Sequence, residues 1–199
     1  MCPFSKSALT AICLGLLAAV TTLTSGCITI LHSVTVDAIT DPAAPRSFSY
    51  QLAPARPALV REARIHNFAV ACIREALAAR GLYEQTSADP PDIVIEYDYG
   101  IGESIPLPNS APMMEKFLSL SARPFSTNLA SRGDEVWNVR VVAQEAGAGV
   151  ERALPMLAAV AVDYAGMDTG TETTISVPDN SAAIVQVRNA ATAAVGGTP

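Results

Sequence analysis

The sequence predicts an α+β fold: a mostly antiparallel sheet of about five strands packed by two main helices, after a cleaved N-terminal signal. Two kinds of observation lead to this prediction. Several short segments alternate apolar and polar residues with the period of two that is typical of strands. Two longer segments, 58–80 and 152–165, carry apolar residues at steps of three and four or on nearly every side, as helices do. The first 26 residues fit neither pattern.

Segment 1–26 has the composition of a secretory signal. Lys6 is its only charged residue, and it precedes an apolar stretch from Ala8 to Val20 that is too short and too early for an ordinary membrane span. We therefore expect this segment to be removed. The prediction leaves a single domain over 27–190 and a flexible tail over 191–199.

The residues around Cys27 resemble the lipobox of bacterial lipoproteins. Ser25, Gly26 and Cys27 fit that motif, whereas Thr24 stands where Leu is commonest. The resemblance implies cleavage between Gly26 and Cys27, a diacylglyceryl group on the Cys27 thiol, and acylation of the new amino terminus with a fatty acid such as palmitate. Because Ile28 replaces the Asp that favours the inner membrane, it also implies the outer membrane, facing the periplasm. The alternatives are a soluble secreted protein cut at a nearby small residue and a chain held on the membrane by an uncut signal.

Short alternating segments after the signal are predicted to be strands. In the segment that begins at Ile93, for example, Ile93, Ile95 and Tyr97 share one face while Glu96 and Asp98 share the other. The last two segments are expected to pair with each other across a turn. The predicted strands are 28–39, 47–52, 93–99, 135–144, 173–177 and 183–188.

The long helix over 58–80 is the clearest local prediction. Pro57 stands just ahead of its start, and Gly81 follows its last turn, as a C′ glycine does. Cys72 falls on its apolar face, and we expect a small buried hydrophobic residue there rather than a reactive thiol. Because two cysteines leave with the signal and Cys27 carries lipid in this interpretation, Cys72 has no partner for an intrachain disulfide.

The stretch 104–133 is predicted to be a long Pro-rich excursion from the domain. It contains four prolines and the apolar cluster 113–120. We expect this cluster to form a short helix that docks on the core. The alternative is a contact surface for a partner or for the lipid interface.

The second helix, over 152–165, is apolar on nearly every side. Such a helix is either buried or pressed against another body, and one of this length does not span a bilayer unaided. Burial against the sheet is the favoured interpretation. The alternative is an interface with a second copy or with another protein.

Several of these elements together resemble the lipoprotein family called domain of unknown function 4136. The resemblance lies in the strand after Cys27, the strand with Phe48 and Tyr50, the helix ending in 78–82, and the Asp-led apolar segment 91–95. It covers roughly 28–99. It implies an α+β domain facing the periplasm and brings no catalytic residues.

Composition and charge exclude some classes of function. The 199 residues carry 13 Lys+Arg against 19 Asp+Glu, a formal charge of −6, and removal of Lys6 with the signal leaves −7. A nucleic-acid binder would need a cationic face that this balance does not supply. Such a chain is not attracted to anionic headgroups either, so the lipid would have to provide the affinity for the membrane.

The sequence contains no recognisable catalytic constellation. After the signal only His32 and His66 are available as histidines, and no zinc, phosphate-binding or nucleophile-elbow motif is present. We expect His66 to be solvated. Glu96, Asp98 and Glu103 lie close enough in sequence for a carboxylate site, but such residues are also ordinary on a half-solvated strand. We therefore expect no catalytic residue, metal or cofactor.

These observations predict a non-enzymatic, lipid-anchored envelope protein that acts as a structural, assembly or binding module. Its expected partners are the membrane, through the lipid on Cys27, and an envelope protein or a second copy in a homo-oligomer, with no nucleic acid. The alternative function is a carrier of a small ligand or a lipid, whose pocket would be lined by the 153–165 helix and the 113–120 segment.

Overall fold

The computed structural model describes residues 29–44, 47–106, 112–126, 133–147 and 149–196, and the compact unit described below is Leu31–Pro199. Its strands are β1 (Leu31–Thr40), β2 (Ser49–Pro54), β3 (Tyr83–Glu84), β4 (Ile93–Ile105), β5 (Met113–Pro124), β6 (Trp137–Ala146) and β7 (Thr173–Pro178). Its helices are α1 (Ala63–Ala79), α2 (Leu154–Asp163) and α3 (Ala182–Ala194), with a 3-10 helix at Pro57–Arg61 ahead of α1.

The seven strands form one mixed sheet in the order β3-β2-β4-β5-β6-β1-β7. The predicted α+β class is thereby confirmed, but the sheet has more strands than the expected five and is not all antiparallel. Strand β2 runs parallel to both β3 and β4, and the remaining pairs are antiparallel. The parallel pairs arise because the chain leaves β2, passes through α1 and returns to the end of the sheet at which β2 begins, so that β3 and β4 run in the same direction as β2.

One face of the sheet carries the hydrophobic core. Its central row runs across four strands through directly paired residues: Tyr97, Leu120, Val139 and Ala38. All four are buried, and they belong to one core cluster with buried side chains of α1, α2 and α3. The three helices therefore cover this face, which we call the helix face.

The segment 113–120 is a strand, so the prediction of a short docking helix inside a Pro-rich excursion was wrong there. Strand β5 pairs with β4 on one side and β6 on the other, and its buried residues Leu118, Leu120 and Ala122 alternate as in any strand. Phe117 lies on the opposite face. A large apolar side chain on each face hides the period of two and leaves a pattern that resembles a helix turn.

The segment 183–188 is part of a helix, so the prediction of a last strand there was also wrong. Helix α3 buries Ile184, Val187 and Ala191, which are three and four residues apart. The alanine-rich residues that follow favour a helix, and α3 continues to Ala194 into the predicted tail. The expected two main helices are therefore three, and β7 pairs with β1 instead of with 183–188.

Helices α1 and α2 follow the sequence more closely. Helix α1 ends in a Schellman motif: Gly81, with φ of +82°, donates to the Ala78 carbonyl, and Leu82 donates to the Leu77 carbonyl. Helix α2 buries every residue from Leu154 to Val162 and contacts β5 and β6. The expected burial of α2 against the sheet is confirmed.

Candidate functional site

The face of the sheet opposite the helices is polar, and we call it the open face. Its residues alternate along each strand with those of the core. Hydroxyl, amide and charged side chains predominate among them. The open face comprises Ser33, Thr35 and Asp37 of β1, Glu96 and Asp98 of β4, Glu115, Phe117, Ser119, Ser121 and Arg123 of β5, and Asn138, Arg140, Val142 and Gln144 of β6.

A depression of about 460 Å³ lies on the open face and crosses four strands from β5 to β7. Most of the side chains around it can donate or accept hydrogen bonds. They include one guanidinium and two carboxylates. The lining residues are Ser33, Thr35, Glu115, Arg140, Val142, Gln144, Glu172 and Thr174.

Arg140 lies over the ring of Phe117 beside this depression. The guanidinium carbon is 4.4 Å from the ring centroid, a cation–π contact. The ring itself lies close over Gly100 of β4, where a Cβ would stand only 3.3 Å from it. The glycine at this position thus leaves room for the ring, and the guanidinium lies over the ring.

The charged groups of the depression are not paired with one another. Asp37 is the register partner of Arg140. Within the described ranges, however, no ion pair or hydrogen bond joins Arg140, Glu115 or Glu172 to another residue. Three charged groups thus lie at the depression without a counter-charge among the described residues, and Arg140 contacts the Phe117 ring.

Two of the three acids considered for a carboxylate site, Glu96 and Asp98, are paired with arginines. Asp98 accepts from Arg56 Nε at 2.9 Å, and Arg56 also donates to the Tyr99 carbonyl at 3.1 Å. Glu96 lies 3.9 Å from Arg123 Nε. Across the described residues, no group of three or more His, Cys, Asp or Glu side chains is arranged to hold a metal ion.

A second cluster of charged side chains lies on the helix face, at the end of the sheet where β1 begins. Lys116 is only 2% exposed, and its Nζ donates to Glu145 Oε2 at 3.3 Å. The other carboxylate oxygen of Glu145 lies 3.2 Å from His32 Nδ1. Three neighbouring strands thus bring together a lysine, a glutamate and a histidine that are distant in sequence.

Cys72 and His66, which were also considered from the sequence, both lie on α1 and pack against the core. Cys72 is fully buried, as predicted, and burial raises the pKa of its thiol to about 12. His66 is half-buried rather than solvated, because its ring lies against Tyr97 with Nδ1 3.5 Å from the phenol oxygen. Burial raises the pKa of Tyr97 to about 12.

Of the two segments expected to line a carrier pocket, helix α2 and the inward side chains of 113–120 belong to the core, whereas Glu115 lines the depression. Helix α2 is buried from Leu154 to Val162, and Leu118 and Leu120 of β5 are fully buried on the same face. The depression described above lies on the other side of the sheet. The lipid attachment residue Cys27 and the cleavage site at Gly26 lie outside the described residues. Within the described ranges, no helix is both long and apolar enough to cross a membrane.

Comparisons with known proteins identify similar folds. No family model matches the chain, and no curated protein matches it. The structure is similar to that of a PDZ domain protein from Parabacteroides distasonis, with a TM-score of 0.52 and 12% identity over 81% of this chain. That match spans 42% of the Parabacteroides chain. At this identity the likeness concerns the fold alone, and the resemblance to domain of unknown function 4136 stays a prediction.

Two further solved structures match at lower scores. The PelC dodecamer from Paraburkholderia phytofirmans gives a TM-score of 0.40 and 12% identity, over 65% of this chain and 94% of the PelC chain. A candidate lipoprotein from Caulobacter crescentus gives a TM-score of 0.27 and 15% identity, over 75% of this chain and 93% of that one.

Sequence reasoning missed the two clusters that depend on β5. Had 113–124 been recognised as a strand, alternation alone would have placed Phe117 on the open face and Lys116 among the buried side chains. Lys116 is the only lysine after the signal peptide, and this alternation gives it an inward position. Because lysine is rarely buried without a partner, that position could have identified the second cluster.

Proposed function

We propose that this protein is a lipid-anchored component of the bacterial cell envelope, a non-enzymatic module that binds a partner or ligand through its open face. The observation that carries this proposal is the depression on that face, where Arg140, Glu115 and Glu172 have no ion-pair partner among the described residues. The described helices lie on the other face of the sheet, and these groups have a fixed geometry because most of them project from paired strands.

The lipid anchor rests on the Ser25-Gly26-Cys27 motif. Three residues separate Cys27 from the first residue of β1. Two or three acyl chains hold a protein stably on a membrane, because each buried methylene contributes about 0.8 kcal/mol. With Ile28 after the cysteine, we place the protein at the outer membrane, facing the periplasm.

The net negative charge of the mature chain is consistent with a protein that is held at the membrane by its lipid. The mature chain carries 12 Lys+Arg against 19 Asp+Glu. Anionic headgroups repel such a surface weakly and only within a Debye length of about 8 Å.

Site-specific photo-crosslinking in the bacterial host tests the binding role. A photoreactive residue replaces Gln144, which is exposed beside the depression, and in a matched variant it replaces Asn189, which is exposed on α3. We expect Gln144 to give discrete adducts, and Arg140→Ala in the same chain to reduce them. Equal adducts from both positions, or adducts from Asn189 alone, would contradict a binding role for the open face.

A further inference from the structure

We propose that β7 is a docking strand: an extended peptide segment of a partner, with basic residues at both of its ends, adds to the free edge of the sheet beside β7. The inference goes beyond the proposed function, because it requires neither the lipid on Cys27 nor occupation of the depression. It names the sheet edge, which adjoins the depression and shares Glu172 and Thr174 with it, and a partner of defined chemistry.

Strand β7 is the last strand of the sheet on its side. It pairs with β1 over six residues, from Leu31 opposite Pro178 to Val36 opposite Thr173. In the described part of the chain, no strand pairs with its other side. Alternate backbone N–H and C=O groups of β7 therefore point away from the sheet, in the arrangement that an added strand can use.

Over its first five residues, β7 lacks the features that usually prevent strand addition. Residues 173–177 read Thr-Thr-Ile-Ser-Val, with four β-branched side chains and no charge, and the proline of the strand, Pro178, is its last residue. Natural edge strands are usually short, charged, bulged or covered. The opposite edge of the same sheet is protected in this way, since β3 has only two residues and Glu84 within it is bound by Arg74 Nε at 2.6 Å.

The charges at the two ends of β7 favour a basic partner over a second copy. Glu172 precedes the strand and Asp179 follows it. If two copies paired antiparallel through β7, the acid at each end of one strand would face the acidic end of the other, and like charges destabilise such pairs. A peptide with Lys or Arg at both ends would instead place an opposite charge near each acid.

The two faces of β7 indicate which side chains suit the central residues of the peptide. Ile175 and Val177 are half-buried against the core on the helix face, whereas Thr174 lies on the open face beside the depression. An added strand aligns its side chains with these two faces. The best match is a segment that alternates apolar and hydroxyl residues between its basic ends.

The test measures binding of a labelled peptide to the full chain, purified in detergent with Cys27→Ala. The probe is a blocked eight-residue peptide of alternating Val and Thr with Lys at each end; the comparison peptide has Glu at each end. Fluorescence anisotropy gives the affinities, and hydrogen–deuterium exchange locates the protected amides. We expect the Lys-ended peptide to bind about five-fold tighter or more, because two cross-strand charge pairs change sign, and protection to be confined to β7.

A charge reversal separates edge binding from general attraction to an acidic protein. Glu172→Lys with Asp179→Lys should reverse the preference, so that the Glu-ended peptide binds tighter. The control, Glu103→Lys with Asp134→Lys, changes the net charge equally at exposed positions away from β7 and should keep the original preference. The proposal is overturned if neither peptide binds, if both double variants behave alike, if protection falls outside β7, or if the chain dimerises through β7 without peptide.

Discussion

Ser49 and Asp92 bind each other's backbone at the point where β2 joins the sheet parallel to β4. The Ser49 N–H donates to Asp92 Oδ2 at 2.9 Å, and the Asp92 N–H donates to the Ser49 hydroxyl at 2.9 Å. The same carboxylate oxygen accepts the Phe48 N–H at 2.9 Å. These bonds connect two segments separated by α1, and they fix the register in which β2 enters the sheet.

Asp92→Asn should therefore lower the thermal midpoint of unfolding and remove one component of its pH dependence. Backbone hydrogen bonds from Ser49 and Phe48 hold the pKa of Asp92 below its ordinary value. Because its pKa is lower in the folded chain than in the unfolded chain, Asp92 adds to the free energy of unfolding. This contribution is complete above the unfolded pKa, about 3.9 for Asp. It is lost as the pH falls through the folded pKa. Thermal melts from pH 7 to pH 2 should show the two proteins converging as the pH falls, whereas Asp134→Asn, at an exposed loop acid, should follow the wild type throughout.

Glu145→Gln should destabilise the fold by about 3 kcal/mol, because it leaves the buried Lys116 ammonium without its counter-charge. Lys116 is 2% exposed and Glu145 13% exposed at their side chains. The double variant Lys116→Met with Glu145→Gln removes both charges and should recover most of that loss. Urea unfolding of Glu145→Gln, of Lys116→Met alone and of the double variant gives the coupling energy. Additive losses would mean that the two side chains do not act as a pair.

Leu157→Ala should cost about 2–5 kcal/mol, the range for a buried leucine. Leu157 is fully buried on α2, in the helix for which a dimer interface was the alternative prediction. Met167→Ala, at an exposed apolar side chain just after α2, should stay within about 0.5 kcal/mol of the wild type. Both variants should have the oligomeric state of the wild type, measured by sedimentation. A change of that state with Leu157→Ala alone, without loss of stability, would favour the interface.

Cys72 should be inert to alkylation in the folded chain. Burial raises the pKa of its thiol to about 12, so both the thiolate fraction and access to reagent are low. In a Cys27→Ala chain, iodoacetamide should modify Cys72 slowly at pH 8 and rapidly once guanidinium unfolds the protein. Rapid modification under native conditions would show that α1 opens, or that the thiol is not buried.

The sequence predicted the elements whose pattern is local. Pro57 and Gly81 mark the limits of the first helical region, and the alternation from Ile93 to Tyr99 marks a strand, because each pattern depends on neighbours within a few residues. Even here one boundary differed: the region divides into a 3-10 helix and α1, since proline-led first turns are tight.

The errors came from segments whose structure is set by distant residues. Phe117 is accommodated on the open face because Gly100, on the neighbouring strand, leaves room for its ring, and neither residue indicates this alone. Residues Ile184 and Val187 suit a strand or a helix, and their contacts with α1 and α2 decide for the helix. The meeting of Arg140, Glu115 and Glu172 at one depression could not be predicted either, because it depends on the register of four strands.

The most direct test of a lipid-anchored module is metabolic labelling of the full chain with a radioactive or clickable palmitate in its bacterial host. The proposal predicts that the wild type takes up label, sediments with outer membranes and is released by detergent, whereas Cys27→Ala takes up none. Cys72→Ala, which keeps the lipobox, should label like the wild type. Equal labelling of Cys27→Ala, or an unlabelled wild type in the soluble fraction, would contradict the anchor.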